Sequence, residues 1–146
     1  MKIGFYPMVA DILHIGHMLA IEEAKKNCDY LIIGLYCHPK TKNPVQSIYE
    51  RYMQLRAVKW VDEVIPYENE ADVLGMISSL TYDVYFVGQD HYGNDWEGKD
   101  LIQSLGKEIY YIKRNHSYSS TYFKKKIIMS AENEEKNAVQ QVKNEG

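Results

Sequence analysis

Polar and apolar positions fall into two alternating patterns along the chain. Short, largely apolar or aromatic runs at 2–7 (KIGFYP), 30–36 (YLIIGLY), 61–66 (VDEVIP), 83–88 (DVYFVG) and 108–113 (EIYYIK) read as strands. The run at 30–36 has no polar alternate, which marks a strand buried on both faces. Between these runs the apolar positions recur at helical spacing. Ile15, Met18 and Leu19 stand at i, i+3 and i+4 opposite Glu22, Glu23, Lys25 and Lys26, and Ile48, Tyr52 and Leu55 carry a second helix to about Trp60. Further helices are predicted over 71–80, over 98–105 ending at Gly106, and over 119–129 behind a serine N-cap. From Ser130 the chain is polar, and reads as a solvated helix end or a mobile tail.

Strands that alternate with helices imply an α/β fold: one Rossmann-like, three-layer domain over 1–129 with a five-stranded parallel sheet, followed by the polar tail 130–146. In such sheets ligands gather at the carboxyl ends of strands near the switch in strand order. The places to search are therefore after residues 7, 36, 88 and 113.

Composition narrows the field. The 146 residues suit one hydrophobic core, and 45% apolar with 25% charged residues is ordinary for a soluble protein. Thirteen tyrosines fit the strand content. A net charge of −3 supplies no basic field, so nucleic acid is not the expected partner. Cys28 and Cys37 have no metal or redox spacing and read as thiols in a reducing compartment. The N-terminal MKIGFYPM is too short for a secretory segment, and no window approaches 18 apolar residues. A cytoplasmic protein without a membrane span is expected.

Candidate chemistry stands where the fold rule points. After the first strand come Asp11, His14, Gly16 and His17, with both histidines on one side of a first helical turn and Gly16 allowing close backbone approach. Imidazole donors beside a helix N-terminus suit polyanions and the charge that grows on a phosphate under attack. The same spacing serves a metal pair lacking a third ligand, or ordinary histidines. Lys40 and Lys42 follow the second strand, with Arg51 on the next helix; they offset phosphate charge or simply line a solvated loop. Gly88 permits a sharp exit from the fourth strand, and Asp90 and Asp95 beyond it suit ribose hydroxyls, magnesium or turns. Arg114, followed by Ser119, Ser120 and Thr121 at a helix start, forms a second phosphate cradle.

Taken together, these residues resemble the HIGH-motif nucleotidyltransferase superfamily, and within it the cytidylyltransferase branch typified by the glycerol-3-phosphate cytidylyltransferases. The likeness covers roughly residues 2–127. It rests on His14-Ile15-Gly16-His17, on Arg114 through Thr121, on Tyr49-Glu50-Arg51 with Val61-Asp62-Glu63-Val64-Ile65-Pro66, and on Asp95-Trp96-Glu97-Gly98-Lys99. Met8-Val9-Ala10-Asp11 occupies the place of the family's G-T-F-D. Gly88-Gln89-Asp90 replaces G-D-D, Ser117 replaces a glycine, and His91 to Asn94 form a short insertion where the acceptor should bind.

The resemblance implies transfer of CMP from CTP to a phosphorylated small alcohol or phosphonate, with release of pyrophosphate, for a cell-envelope polymer or head-group precursor. It assigns His14, His17, Lys40, Lys42 and Arg114 to catalysis. Met8, Val9, Ala10, Asp11, Gly16, Gly88, Asp90, Ser119, Ser120 and Thr121 would bind nucleotide, and Arg51, Asp95 and Trp96 the acceptor. Magnesium would arrive with the triphosphate, no dedicated metal residue is assigned, and a homodimer is implied. The alternatives are an adenylyltransferase using ATP at the same phosphate site, or a nucleotide-binding protein without turnover.

Overall fold

The structure is a computed structural model that describes residues 1–114 and 116–145. Asn115, within the second phosphate segment, and Gly146, at the end of the tail, lie outside the described residues. The strands are β1 (Ile3–Met8), β2 (Tyr30–Tyr36), β3 (Glu63–Tyr67), β4 (Val84–Gly88) and β5 (Glu108–Ile112). The α-helices are α1 (Ile15–Lys26), α2 (Ile48–Ala57), α3 (Glu70–Ser79), α4 (Lys99–Ser104) and α5 (Ser120–Glu145). One 3-10 turn, Gln89–His91, was not foreseen; it forms where the insertion leaves β4.

The sheet is parallel throughout, in the order β3-β2-β1-β4-β5. Side chains alternate between its faces, and both faces are covered. Leu31, Ile33, Leu35, Val84 and Phe86 pack with Ile21 and Ala24 of α1 and Leu55 of α2. Phe5, Ile32, Tyr36 and Tyr85 pack with Val73 and Ile77 of α3 and Ile102 of α4. Each fully buried aliphatic side chain contributes about 1.5–3 kcal/mol.

Register explains where space opens. β1 pairs with β2 along its whole length, from Ile3 opposite Tyr30 to Met8 opposite Leu35. Against β4 it pairs only at Gly4–Val84 and Phe5–Tyr85. Beyond Phe5 the two strands part, at the point where strand order reverses.

Helix starts follow their capping chemistry. Ser47 and Asn69 cap α2 and α3 with reciprocal boxes to Glu50 and Asp72. Ser119 Oγ accepts the Tyr122 amide at 3.0 Å, the capping bond expected of a serine there. The last helix does not stop near residue 129. It runs to Glu145 with none of its described residues buried, so the polar tail continues as solvated helix. Among the described residues no helix is long and apolar enough to cross a membrane.

Candidate active site

The parting of β1 and β4 opens a cavity of about 930 Å³ at the carboxyl ends of the strands. Its floor is the turn from β1 into α1. Ala10 and Ile12 take φ values of 57° and 49° there, a left-handed conformation that costs a non-glycine residue about 1–3 kcal/mol. The turn is held by Asp11, only 5% exposed. Its Oδ2 accepts the Val45 amide and its Oδ1 the Gln46 amide, both at 2.9 Å, and Lys124 Nζ lies 2.9 Å from Oδ2. Gln46 Oε1 returns the contact by accepting the Ile12 amide at 2.7 Å. Asp11 thus lines the cavity, but its carboxylate is committed to fastening the 38–47 loop and α5 to the turn.

His14 is the N-cap of α1. Its Nδ1 accepts the Gly16 amide at 3.0 Å, while His17 Nδ1 accepts the His14 amide at 3.3 Å. A neutral imidazole that accepts at Nδ1 carries its proton on Nε2. Each ring therefore presents an Nε2–H donor, and the ring centroids are 4.1 Å apart. His14 Nε2 meets Ser120 Oγ at 3.4 Å, and Ser120 donates onward to the Asp11 carbonyl at 3.0 Å. Burial, then the neighbouring His14 ring and the charge of Lys42, brings His17 down to about 4. Burial, then His116 and Arg114, lowers His14. Both rings are neutral donors at physiological pH.

Gly16 is required by contact: a Cβ there would stand 2.7 Å from His14 Cε1 and 3.0 Å from the Tyr118 carbonyl. The exits of β4 and β5 are tied together where the Arg114 amide donates to Gln89 Oε1 at 3.0 Å.

Most of the residues expected from the sequence share this cavity. Met8, Val9 and Ala10 line the β1 side, and Gly88, Asp90 and Trp96 the β4 side. His14, Gly16, His17 and Lys42 meet Arg114, Ser119, Ser120 and Thr121 across it. Three residues are placed elsewhere. Lys40 is exposed on the loop and Asp95 is exposed beyond the insertion, and neither contributes to the lining. Arg51 is a correction, for it does not face a substrate. It is 2% exposed, and its Nη atoms donate to the carbonyls of Val9, Tyr36 and Cys37 at 3.1, 2.8 and 2.8 Å. That guanidinium closes the carboxyl ends of β1 and β2 from beneath.

Sequence reasoning missed Lys124, which sits one helical turn after Ser120; that i+4 spacing was the available signal. It also missed Tyr36, Tyr67, Glu70, Tyr85 and Glu97 in the lining, residues that no local pattern joins.

Among the described residues no three carboxylate, imidazole or thiol groups converge to hold a metal. The cavity offers donors and cations at its histidine end instead, an arrangement suited to nucleotidyl transfer onto an acceptor whose own oxygen is already anionic. With the parallel sheet and its switch point, this defines a nucleotidyltransferase. The chain belongs to the cytidylyltransferase-like family, whose profile matches residues 5–137. It is 32% identical over 121 residues to glycerol-3-phosphate cytidylyltransferase of Bacillus subtilis (strain 168), a match covering 80% of this chain and 90% of that protein. It is also 32% identical over 127 residues to the bifunctional protein HldE of Hyphomonas neptunium, covering 83% of this chain but only 26% of that longer protein. Among solved structures, the lipopolysaccharide core biosynthesis protein from Thermoplasma volcanium GSS1 matches with a TM-score of 0.66 at 25% identity, over 80% of this chain and 99% of that one.

Proposed function

We propose that the chain transfers CMP from CTP to the phosphate or phosphonate oxygen of a small phosphorylated alcohol or its phosphonate analogue, releasing pyrophosphate. The observation that carries this reading is the pair of neutral imidazoles lining one cavity, each fixed at Nδ1 by a backbone amide, with the Nε2–H of His14 resting on Ser120 Oγ until a ligand takes it.

The acceptor oxygen is already anionic near neutral pH, so no general base is needed. It attacks the α-phosphorus in line; the bond from that phosphorus to the bridging oxygen breaks, and pyrophosphate leaves with the electron pair. The protein's contribution is alignment and stabilisation of charge. His14 and His17 donate to the α- and β-phosphates. Lys42 and Arg114 offset the charge of the triphosphate, and the hydroxyls of Ser119, Ser120 and Thr121 cradle its outer phosphates. Magnesium, arriving with the triphosphate, would supply further neutralisation. The sparse donor set fits an ion carried mainly by phosphate oxygens, with Asp90 the nearby carboxylate of the lining. A homodimer and a role in supplying activated precursors for envelope polymers or head groups belong to the same reading.

The test is pyrophosphate release with magnesium from CTP and from ATP, against a panel of phospho-alcohols and phosphonates. CTP-dependent release that falls about 10²–10³-fold in His17→Ala is expected, the loss typical of one oxyanion donor. Release with ATP alone would make the protein an adenylyltransferase. Nucleotide binding without release from any pair would make it a binding protein.

A further inference from the structure

The cavity has two ends of opposite chemistry. The histidine end holds the cations of the lining: Lys42 acts on His17, Arg114 acts on His14, and Lys124 is paired with Asp11. Lys113 follows β5, and its amide is held by Glu23 of α1, on the same side of the sheet. The opposite end, over the face covered by α3 and α4, is lined by Tyr36, Tyr67, Tyr85 and Trp96 together with Glu70 and Glu97. Tyr36 and Tyr67 have ring centroids 5.0 Å apart, and Trp96 stacks on Tyr85 at 5.7 Å with an interplanar angle of 16°. Trp96 is braced further by Nε1, 3.4 Å from the Tyr111 hydroxyl.

Two observations say that this end receives a ligand. The Tyr36 hydroxyl is buried at the cavity wall; the Lys40 and Glu70 amides lie near it, but it makes no well-formed hydrogen bond among the described residues. Such a group is costly to bury unless something satisfies it. Burial, and then the charge of Glu70, with Glu97 also contributing, raises the pKa of that hydroxyl, so both carboxylates act on one point of the cavity. Glu70 and Glu97 have no lysine or arginine partner within ion-pair distance among the described residues.

We infer that the acceptor is a short phospho-alcohol or phosphonate carrying a positively charged nitrogen, seated between Tyr36, Tyr67, Tyr85 and Trp96 and balanced by Glu70 and Glu97. This rests on the nucleotidyltransferase reading above and goes beyond it in choosing the acceptor. The physical reason is charge. An acceptor phosphate is itself anionic, and two unpaired carboxylates facing a neutral polyol head would add repulsion with nothing to offset it. An ammonium head removes that repulsion and gains from the electron-rich ring faces. Its ordinary partners in such cages are aromatic faces and carboxylates together. The phosphate end of the same molecule then points to the histidines and lysines.

The experiment compares phosphoethanolamine and phosphocholine with 2-hydroxyethyl phosphate and glycerol 3-phosphate, in kcat/KM for CTP-dependent pyrophosphate release. 2-Hydroxyethyl phosphate matches phosphoethanolamine in length and lacks the charge. The expected result is at least tenfold higher kcat/KM for the charged acceptors, and collapse of that ratio in the Glu70→Gln/Glu97→Gln double variant. The loss should be carried by KM. A preference for phosphocholine assigns recognition mainly to the rings, and one for phosphoethanolamine mainly to the carboxylates; both support the inference. Equal or better use of either neutral acceptor overturns it while leaving cytidylyl transfer intact. Should no acceptor release pyrophosphate, the transfer reading fails, and calorimetric binding of phosphocholine against glycerol 3-phosphate decides the cage separately. Selective binding of phosphocholine, lost in the double variant, upholds it, and equal or absent binding overturns it.

Discussion

Lys124 Nζ lies 2.9 Å from Oδ2 of Asp11 across 113 residues of sequence, joining the first turn of the chain to its last helix. Burial opposes ionisation of Asp11. The Lys124 contact and the amides of Val45 and Gln46 outweigh it and hold the carboxyl below its usual range. Asp11→Asn leaves one of these donors facing an NH2 group, and the expected loss is about 1–3 kcal/mol in urea unfolding at pH 7. A group whose folded pKa is depressed stabilises above its unfolded value and ceases to do so as pH falls through the folded one. The stability difference between wild type and Asp11→Asn should therefore shrink as pH drops below about 4. A difference that stays constant with pH would show that Asp11 acts through shape rather than charge.

His17 titrates in the opposite sense from a histidine that gains a partner. Its folded pKa of about 4 lies below the ordinary 6.5, so the unfolded chain binds more protons between those values. Its contribution is complete above pH 6.5 and is lost as pH falls towards 4, by about 3 kcal/mol at most. Urea midpoints at pH 5 and pH 7.5 should differ in the wild type, and the difference should narrow in His17→Gln. Nitrogen chemical shifts of the ring should report an Nε2–H tautomer throughout that range.

Gly16→Ala sets two effects against each other. Alanine favours the helix by about 1 kcal/mol, yet its Cβ would meet His14 Cε1 at 2.7 Å and the Tyr118 carbonyl at 3.0 Å. Relief requires His14 or the β5–α5 loop to move. A fall in kcat of about tenfold to a hundredfold is expected, with thermal stability changed little.

Arg51→Met removes a guanidinium that serves three carbonyls and, among the described residues, faces no carboxylate within ion-pair distance. The orphaned carbonyls should cost about 2–5 kcal/mol, while the nucleotide affinity of the molecules that remain folded is retained. Arg51→Lys should recover little, because an ammonium cannot span carbonyls from two strand ends. Chemical unfolding with a parallel nucleotide titration separates the two effects.

Local pattern made the fold readable. The run at 30–36 and the starts of the helices near 15, 48 and 70 lie within a residue or two of their observed positions, because apolar spacing and N-caps are nearest-neighbour properties; the helix expected to reach Trp60 ends at Ala57. The histidine end of the cavity was readable for the same reason, since its members cluster in two short segments that follow strands. Arg51 misled because a charged residue beside a phosphate site looks functional in one dimension, and only the three-dimensional positions of the Val9, Tyr36 and Cys37 carbonyls explain its burial. The aromatic end was invisible for a related reason: Tyr36, Tyr67, Tyr85 and Trp96 lie on or beyond three different strands and come together only through the assembled sheet.

The crevice between β1 and β4 straddles the sheet, with the imidazoles toward α1 and α5 and the aromatic wall toward α3 and α4. The two ends therefore belong to separate packing layers, with separate sets of helices behind them. On the proposed reading, a substitution at Glu70 or in the stretch from His91 to Glu97 changes the choice of acceptor while the layer behind the imidazoles stays intact.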